Sequence, residues 1–340
     1  MIIEIYLYFG ACDLGFKIMF NLNYLELFIL NTIIYFDLFD YPLTLNEIYT
    51  HLFTGGMEGS SFSLAEIEEC LKSSAKLKKI ITTKRGFYFL KKRADIILTR
   101  QERYNLADKK FKLALRAIKF FKFLPFIKLA AVCNNLAYSN AQKESDIDFF
   151  IITSKKRIWL VRLGAIFSIA LLGLRPPKDK AQDKICLSFY VTEDNLDLSK
   201  IKIGAEDIYL VFWLATLWPV YERDNFYQKL IESNYWLKKY LPNWQPVWPS
   251  LRRRIEDNGF NSFIYKCKEF VLNSIIGNWL ENFLKQIQLK LMAQKKKDLA
   301  ILEDKRVIIS DSMLKFHESD RRLEYQEKFE KKRIELVEDL

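Results

Sequence analysis

The chain predicts an α/β (α+β) protein, a sheet flanked by helices with further helical units before and after it. Three observations carry this reading. Short apolar runs at Leu129–Val132, Phe149–Ile152 and Ile185–Val191 alternate with longer helical stretches. Residues 24–92 hold three helix-like segments followed by two short strand-like runs, and beyond residue 200 the pattern is helical and increasingly charged. Half of the 340 residues are hydrophobic and 28% are charged, a balance that suits packed units and excludes a mainly disordered chain.

Residues 1–23 read as an N-terminal extension. Met1 to Phe20 is apolar but is broken by Glu4, Asp13 and Lys17, and no small-residue cleavage site follows a basic start. Residues 24–92 form the next unit. Leu25 to Phe36 has helical apolar spacing, and Thr44 with Glu47, then Ser63 with Glu66, are capping boxes that open helices at Leu45–Phe53 and up to about Leu77. Ile80 to Thr83 and Phe87 to Leu90 flank a Lys84-Arg85-Gly86 turn, which predicts a hairpin. Three helices and a hairpin are the order of a winged helix-turn-helix. Its third helix carries Glu66, Glu68 and Glu69 where a duplex would be met, so a protein-contact or positioning role is expected ahead of DNA binding.

Residues 93–128 read as a basic helical connector whose lysines and arginines, Lys110 among them, form a solvated face with stems over the core. Residues 129–200 form the core: strand 129–133, a turn and helix 136–143, strand 147–153, helix 157–173 and strand 185–191. Ile158 to Leu174 is too short for a membrane span and carries Arg162, so a helix buried on both sides is expected, with no membrane partner and a cytoplasmic location. Residues 201–340 read as a helical region, with helices at Glu206–Trp218, Glu222–Tyr240 and Phe260–Ile301, a tryptophan- and proline-rich boundary loop over 236–249, and a last helical block from Asp311. Five scattered cysteines without a C-x-x-C step indicate reduced thiols and no zinc site. The net charge of +11 fits a polyanionic partner, nucleotide or nucleic acid, or a general lysine richness, since the lysines spread along the whole chain.

The chemistry concentrates at Asp146-Ile147-Asp148. On a strand the two carboxylates share one face, about 6–7 Å apart, while Ile147 and Phe149 point to the other. That is half of a hard-cation site, suited to Mg²⁺ carrying a nucleoside triphosphate.

The apolar run Leu129 to Val132, the Asn134-Asn135 turn and Ser145-Asp-Ile-Asp148 ahead of Phe149 to Ile152 resemble the nucleotidyltransferase superfamily. This is the fold of DNA polymerase beta, poly(A) polymerases and aminoglycoside nucleotidyltransferases, whose signature is a strand ending in Gly-Ser, a short helix, then Asp-x-Asp in the next strand. Asn134-Asn135 stand at the Gly-Ser position, and ten residues (136–145) separate them from Asp146. Ala137, Asn140-Ala141, Ser145 to Asp148 and Arg157-Ile-Trp-Leu-x-Arg162 are similar to a group of uncharacterised bacterial and archaeal nucleotidyltransferase-domain proteins with an N-terminal winged helix. The resemblance covers most of the chain beyond about residue 24 and implies a mixed sheet flanked by helices. It also implies Mg²⁺ held by Asp146 and Asp148 as catalytic residues. ATP or another nucleoside triphosphate would be held by Asn134, Asn135 and Ser145, and a nucleotidyl group would pass to an acceptor hydroxyl.

Two departures keep a second reading open. Asn replaces the turn glycine, and the strand 185–191 has no acid: Ser188 stands where a third carboxylate is sought, with Asp183 and Glu193 outside its ends. The alternative is a catalytically degenerate nucleotidyltransferase-fold protein that binds a nucleotide, a protein or a nucleic acid. Arg157 and Arg162 start the helix after the second strand and could contact a triphosphate; Arg157 is expected instead as a surface charge, and for Arg162 a triphosphate contact and a helix-packing role both stay open. His317, with Asp320 one helical turn away, is expected as a local cap or ion pair, and His51 has no assigned role.

Overall fold

A computed structural model of the chain describes residues 3–7, 16–20, 22–57, 61–177, 181–204, 206–257, 259–302 and 305–338, and Cys12 lies outside them. The protein divides into two units. The first comprises residues 1–101, 236–245 and 322–340, and the second residues 102–235 and 246–321.

In the first unit, β1 (Ile3–Leu7) and β2 (Phe16–Phe20) pair antiparallel. Helix α1 (Tyr24–Asp37) follows, buried along nearly its whole length, as its continuous apolar run requires. Then come β3 (Leu43–Thr44), α2 (Leu45–Thr50), α3 (Leu64–Ser73), α4 (Leu77–Ile80), β4 (Ile81–Lys84) and β5 (Phe87–Leu90). The capping boxes expected at Thr44/Glu47 and Ser63/Glu66 are both formed. The β4–β5 hairpin turns through Arg85 and Gly86, both at positive φ, the geometry of a two-residue turn matched to strand twist. Strand β3 adds to β5, giving a three-stranded antiparallel sheet. Helix α5 (Ile96–Phe121) leads onward in sequence to the second unit.

The second unit is a mixed sheet with helices. In chain order it has β6 (Ile127–Val132), α6 (Asn134–Ala137), β7 (Ile147–Thr153), α7 (Ile158–Leu171), β8 (Ile185–Thr192), α8 (Ile208–Ala215), β9 (Trp218–Glu222) and α9 (Phe226–Ser233). After α10 (Leu237–Tyr240), which belongs to the first unit, come α11 (Gly259–Leu272), α12 (Ile275–Leu291), α13 (Gln294–Ile301), β10 (Val307–Ile309) and β11 (Met313–Phe316). Helix α14 (Arg322–Glu338) returns to the first unit.

The strand order is β10-β11-β8-β7-β6-β9, with β7 and β8 parallel and the other pairs antiparallel. Ile147, Phe149 and Ile151 on one face of β7 share a core with Phe111, Ile118 and Phe121 of α5 and with Val161 and Ala165 of α7. On the other face Phe150 packs edge-on to Phe189 of β8 and to Trp213 of α8, with ring centroids 5.1 and 5.6 Å apart. Cover on both faces explains why the central strands are apolar almost throughout.

Residues 201–340 are therefore not purely helical, because three sheet strands lie within them. The expected helix Glu206–Trp218 stops at Ala215, and Trp218 begins β9, which pairs with β6. The block from Asp311 begins with a strand because Met313–Phe316 can complete the edge of β8. Helix α7 is not buried on both sides: Leu163, Phe167 and Leu171 on its outer face are exposed.

Candidate functional site

Strand β7 carries Asp146 just before its first residue and Asp148 on it, and pairing with β8 places Cys186 directly beside Asp148. Asp146, Asp148 and Cys186 each offer a ligand atom, and these atoms lie within 4.8 Å of one another. Cys186 occupies the place where an acid was sought at Ser188. The strand register sets this: Asp148 pairs with Cys186, and beyond that pair β8 spends an extra residue before Phe150 meets Phe189. Sequence alternation alone does not reveal such a bulge.

The turn after β6 completes the site. Asn134 takes φ +58°, the left-handed region that a glycine at this position would occupy freely and that Asn tolerates better than most residues. Its side-chain amide donates to Asp148 Oδ2 at 2.7 Å, and Tyr209 of α8 donates to its Oδ1 at 3.4 Å. Cys133 at the end of β6 is buried, and its N–H donates to the Asp148 carbonyl at 3.1 Å.

The electrostatics follow from packing two acids together away from water. Burial first, and the neighbouring Asp146 carboxylate second, push the Asp148 carboxyl up to about 7, against the Asn134 hydrogen bond that favours its ionised form. Asp146 is also raised by burial, opposed by the positive charge of Lys110. The Cys186 thiol is raised far above its ordinary range by burial and by Asp148, and Cys133 is raised chiefly by burial, so both remain protonated thiols.

One side chain gains an importance that the sequence did not signal. Lys110, expected on a solvated helix face, is only 2% exposed. Its ammonium donates to the carbonyls of Lys143 (3.2 Å) and Ser145 (2.7 Å) and to Asp183 Oδ1 (2.7 Å), fixing the approach to Asp146. The only forecast of this was its place in a helix whose adjacent turns carry Ala107, Phe111 and Ala114, all buried. Asp183 is thus engaged by Lys110, and Glu193 accepts the Lys155 N–H at 3.0 Å. His317 follows strand β11 rather than lying on a helix, and its Nε2 is 3.2 Å from Ser188 Oγ. Asp320 pairs with Lys315 at 2.7 Å.

Of the sequence-expected residues, Asp146, Asp148 and Asn134 come together. Asn135 accepts from the Tyr138 hydroxyl at 2.6 Å, and the Ser145 hydroxyl donates to the Gln142 carbonyl at 2.9 Å, so both shape the connection between β6 and β7. Arg157 is a buried structural residue, not a surface charge, donating to Asn278 Oδ1 (2.9 Å) and the Leu272 carbonyl (2.8 Å). Arg162 donates to Gln288 Oε1 at 2.6 Å, a contact that joins α7 to α12.

Chemically, the site offers two hard oxygen donors, two neutral thiols and an amide donor at a strand end. Compared with family models, curated proteins and solved structures, the chain matches none, so the reading of this site rests on its own geometry.

Proposed function

We propose that the protein is a nucleotidyltransferase, using Mg²⁺ at Asp146 and Asp148 to move a nucleotidyl group from ATP or another nucleoside triphosphate to an acceptor hydroxyl. The observation that carries this is the convergence of the two carboxylates beside a turn whose Asn134 adopts the left-handed backbone. The donor set fits the ion: Mg²⁺ commonly takes one or two carboxylates and completes its shell with water and phosphate oxygens. Cys186, held protonated, is no ligand for so hard a cation. Mg²⁺ at this place would neutralise phosphate charge and lower the pKa of the acceptor hydroxyl. Asn134 orients Asp148, and Lys110 holds the segment that presents Asp146.

A second reading is favoured by one observation: β8 presents a thiol and a hydroxyl, Cys186 and Ser188, where a third carboxylate would take the acceptor proton. On that reading the site binds a nucleotide without turning it over. In either case the first unit, in its proposed winged-helix form, serves as a positioning module, because Glu66, Glu68 and Glu69 on α3 disfavour a duplex.

Calorimetric titration of Mg²⁺–ATP into wild type and Asp146→Asn/Asp148→Asn separates these outcomes, followed by assay of pyrophosphate release. Heat in wild type that the double variant abolishes, together with release, supports the enzyme. Heat without release leaves the binding module. No heat in either protein rules out both.

A further inference from the structure

Helix α12 buries polar side chains and exposes large apolar ones. The residues it takes fully out of water are Gly277, Glu281 and Gln288. Glu281 accepts the N–H groups of Trp159 and Leu160 at 2.8 and 2.9 Å, capping the first turn of α7 from outside that helix. Gln288 donates to the Trp159 carbonyl at 2.8 Å and accepts from Arg162 at 2.6 Å. These polar anchors turn the other half of the helix outward, and large apolar side chains stand on it beside Asn282 and Gln286: Ile275 is 87% exposed, Trp279 64% and Leu291 81%, with Phe283 among them. An amphipathic helix normally places these faces the other way round.

Both helices packed against α12 continue the pattern. Phe167 and Leu171 of α7 are exposed, as is Phe270 at the end of α11. Several large apolar side chains standing in water on adjoining helices mark a contact surface. The charges around them have one dominant sign. Lys266 and Lys268 on α11 and Lys290 on α12 are exposed, whereas Lys295 on α13 pairs with Glu318 at 3.4 Å. The acids of α11 and α12 face inward: Glu269 accepts from the Phe126 N–H and pairs with Arg223, and Glu281 is the buried cap. The nearby Asp298 and Asp311 are engaged by Gln294 and Lys285.

We propose that this face docks on an anionic lipid surface. Helix α12 lies in the plane of the interface, its Ile, Trp, Phe and Leu side chains reach the acyl boundary, and the lysines reach the phosphates. Charge selects this occupant. A second copy of the chain would bring two basic fringes together, whereas an anionic bilayer complements both the apolar face and its lysines. The contact is superficial, because among the described residues no helix is long and apolar enough to cross a membrane. The sequence reading expected no membrane partner. The departure arises because only the fold shows Glu281 and Gln288 facing inward.

The test is sedimentation of the full-length protein with vesicles of phosphatidylcholine alone or mixed with phosphatidylglycerol, beside ultracentrifugation without lipid. The expected result is binding to the anionic vesicles only, weakened by salt. Binding should weaken by about tenfold or more in Trp279→Asn/Phe283→Asn and in Lys266→Ser/Lys268→Ser. As a second readout that preserves packing, brominated lipid should quench tryptophan fluorescence in wild type and measurably less in Trp279→Phe. Failure to bind anionic vesicles, quenching unchanged in Trp279→Phe, or a dimer dissolved by Trp279→Asn would each overturn the proposal.

Discussion

Asp148 is where folding and chemistry pull in opposite directions. The fold places its carboxyl beside Asp146 and away from water, which raises it to about 7, while a cation site needs it ionised. An aspartate in the unfolded chain titrates near 4, roughly its model-peptide value. Between those two values the folded, metal-free protein holds the extra proton, so this residue's contribution to stability is complete at low pH and is lost as pH rises through about 7. Asp148→Asn removes the titration and keeps an oxygen for the Asn134 amide. Thermal melts in chelator should show the variant gaining on wild type from pH 5 to pH 8; parallel pH curves would refute the linkage. The aspartates and the Asn turn were legible in sequence because both are local. Cys186 and Lys110 were not, since strand register and a helix's rotation about its axis are decided by packing.

At the scale of elements, caps and turns were read most faithfully. The two capping boxes and the Arg85-Gly86 turn form where sequence put them, since each is settled within a few residues. The Phe260–Ile301 stretch instead divides into α11, α12 and α13. The break before α12 depends on a close approach: a methyl group on Gly277 would sit 1.7 Å from the Leu272 carbonyl oxygen, a rigid backbone atom. Gly277→Ala is therefore expected to destabilise the protein by about 2 kcal/mol or more, measured by denaturant titration, although alanine is the better helix former. A neutral or stabilising result would mean that α11 and α12 part easily. The three late strands β9, β10 and β11 escaped the sequence reading because two are too short to show alternation and all lie among helical residues.

At the scale of the whole molecule, the first unit is assembled from three separated stretches of chain. Thr54 donates its N–H to the Tyr240 carbonyl at 2.9 Å, Lys332 pairs with the buried Asp37, and Phe39 packs against Tyr325 with ring centroids 4.8 Å apart. A chain ending at residue 235 loses all three contacts. The prediction is that such a truncation lacks a cooperative melt by circular dichroism, despite keeping every helix of residues 24–92. A sharp transition in the truncated chain would show that the later segments are dispensable.

The sequence by itself determined what depends on neighbours along the chain: the mixed helix-and-strand character, the caps and turns, and a pair of carboxylates on one strand face. Only the tertiary structure decided what depends on neighbours across it. It chose which strands extend the sheet, put a thiol beside Asp148, sank Lys110 beneath the site, and turned large apolar side chains of α12 outward. Local hydrogen-bond geometry acts within a turn of helix, whereas register and burial exist only once distant segments have met.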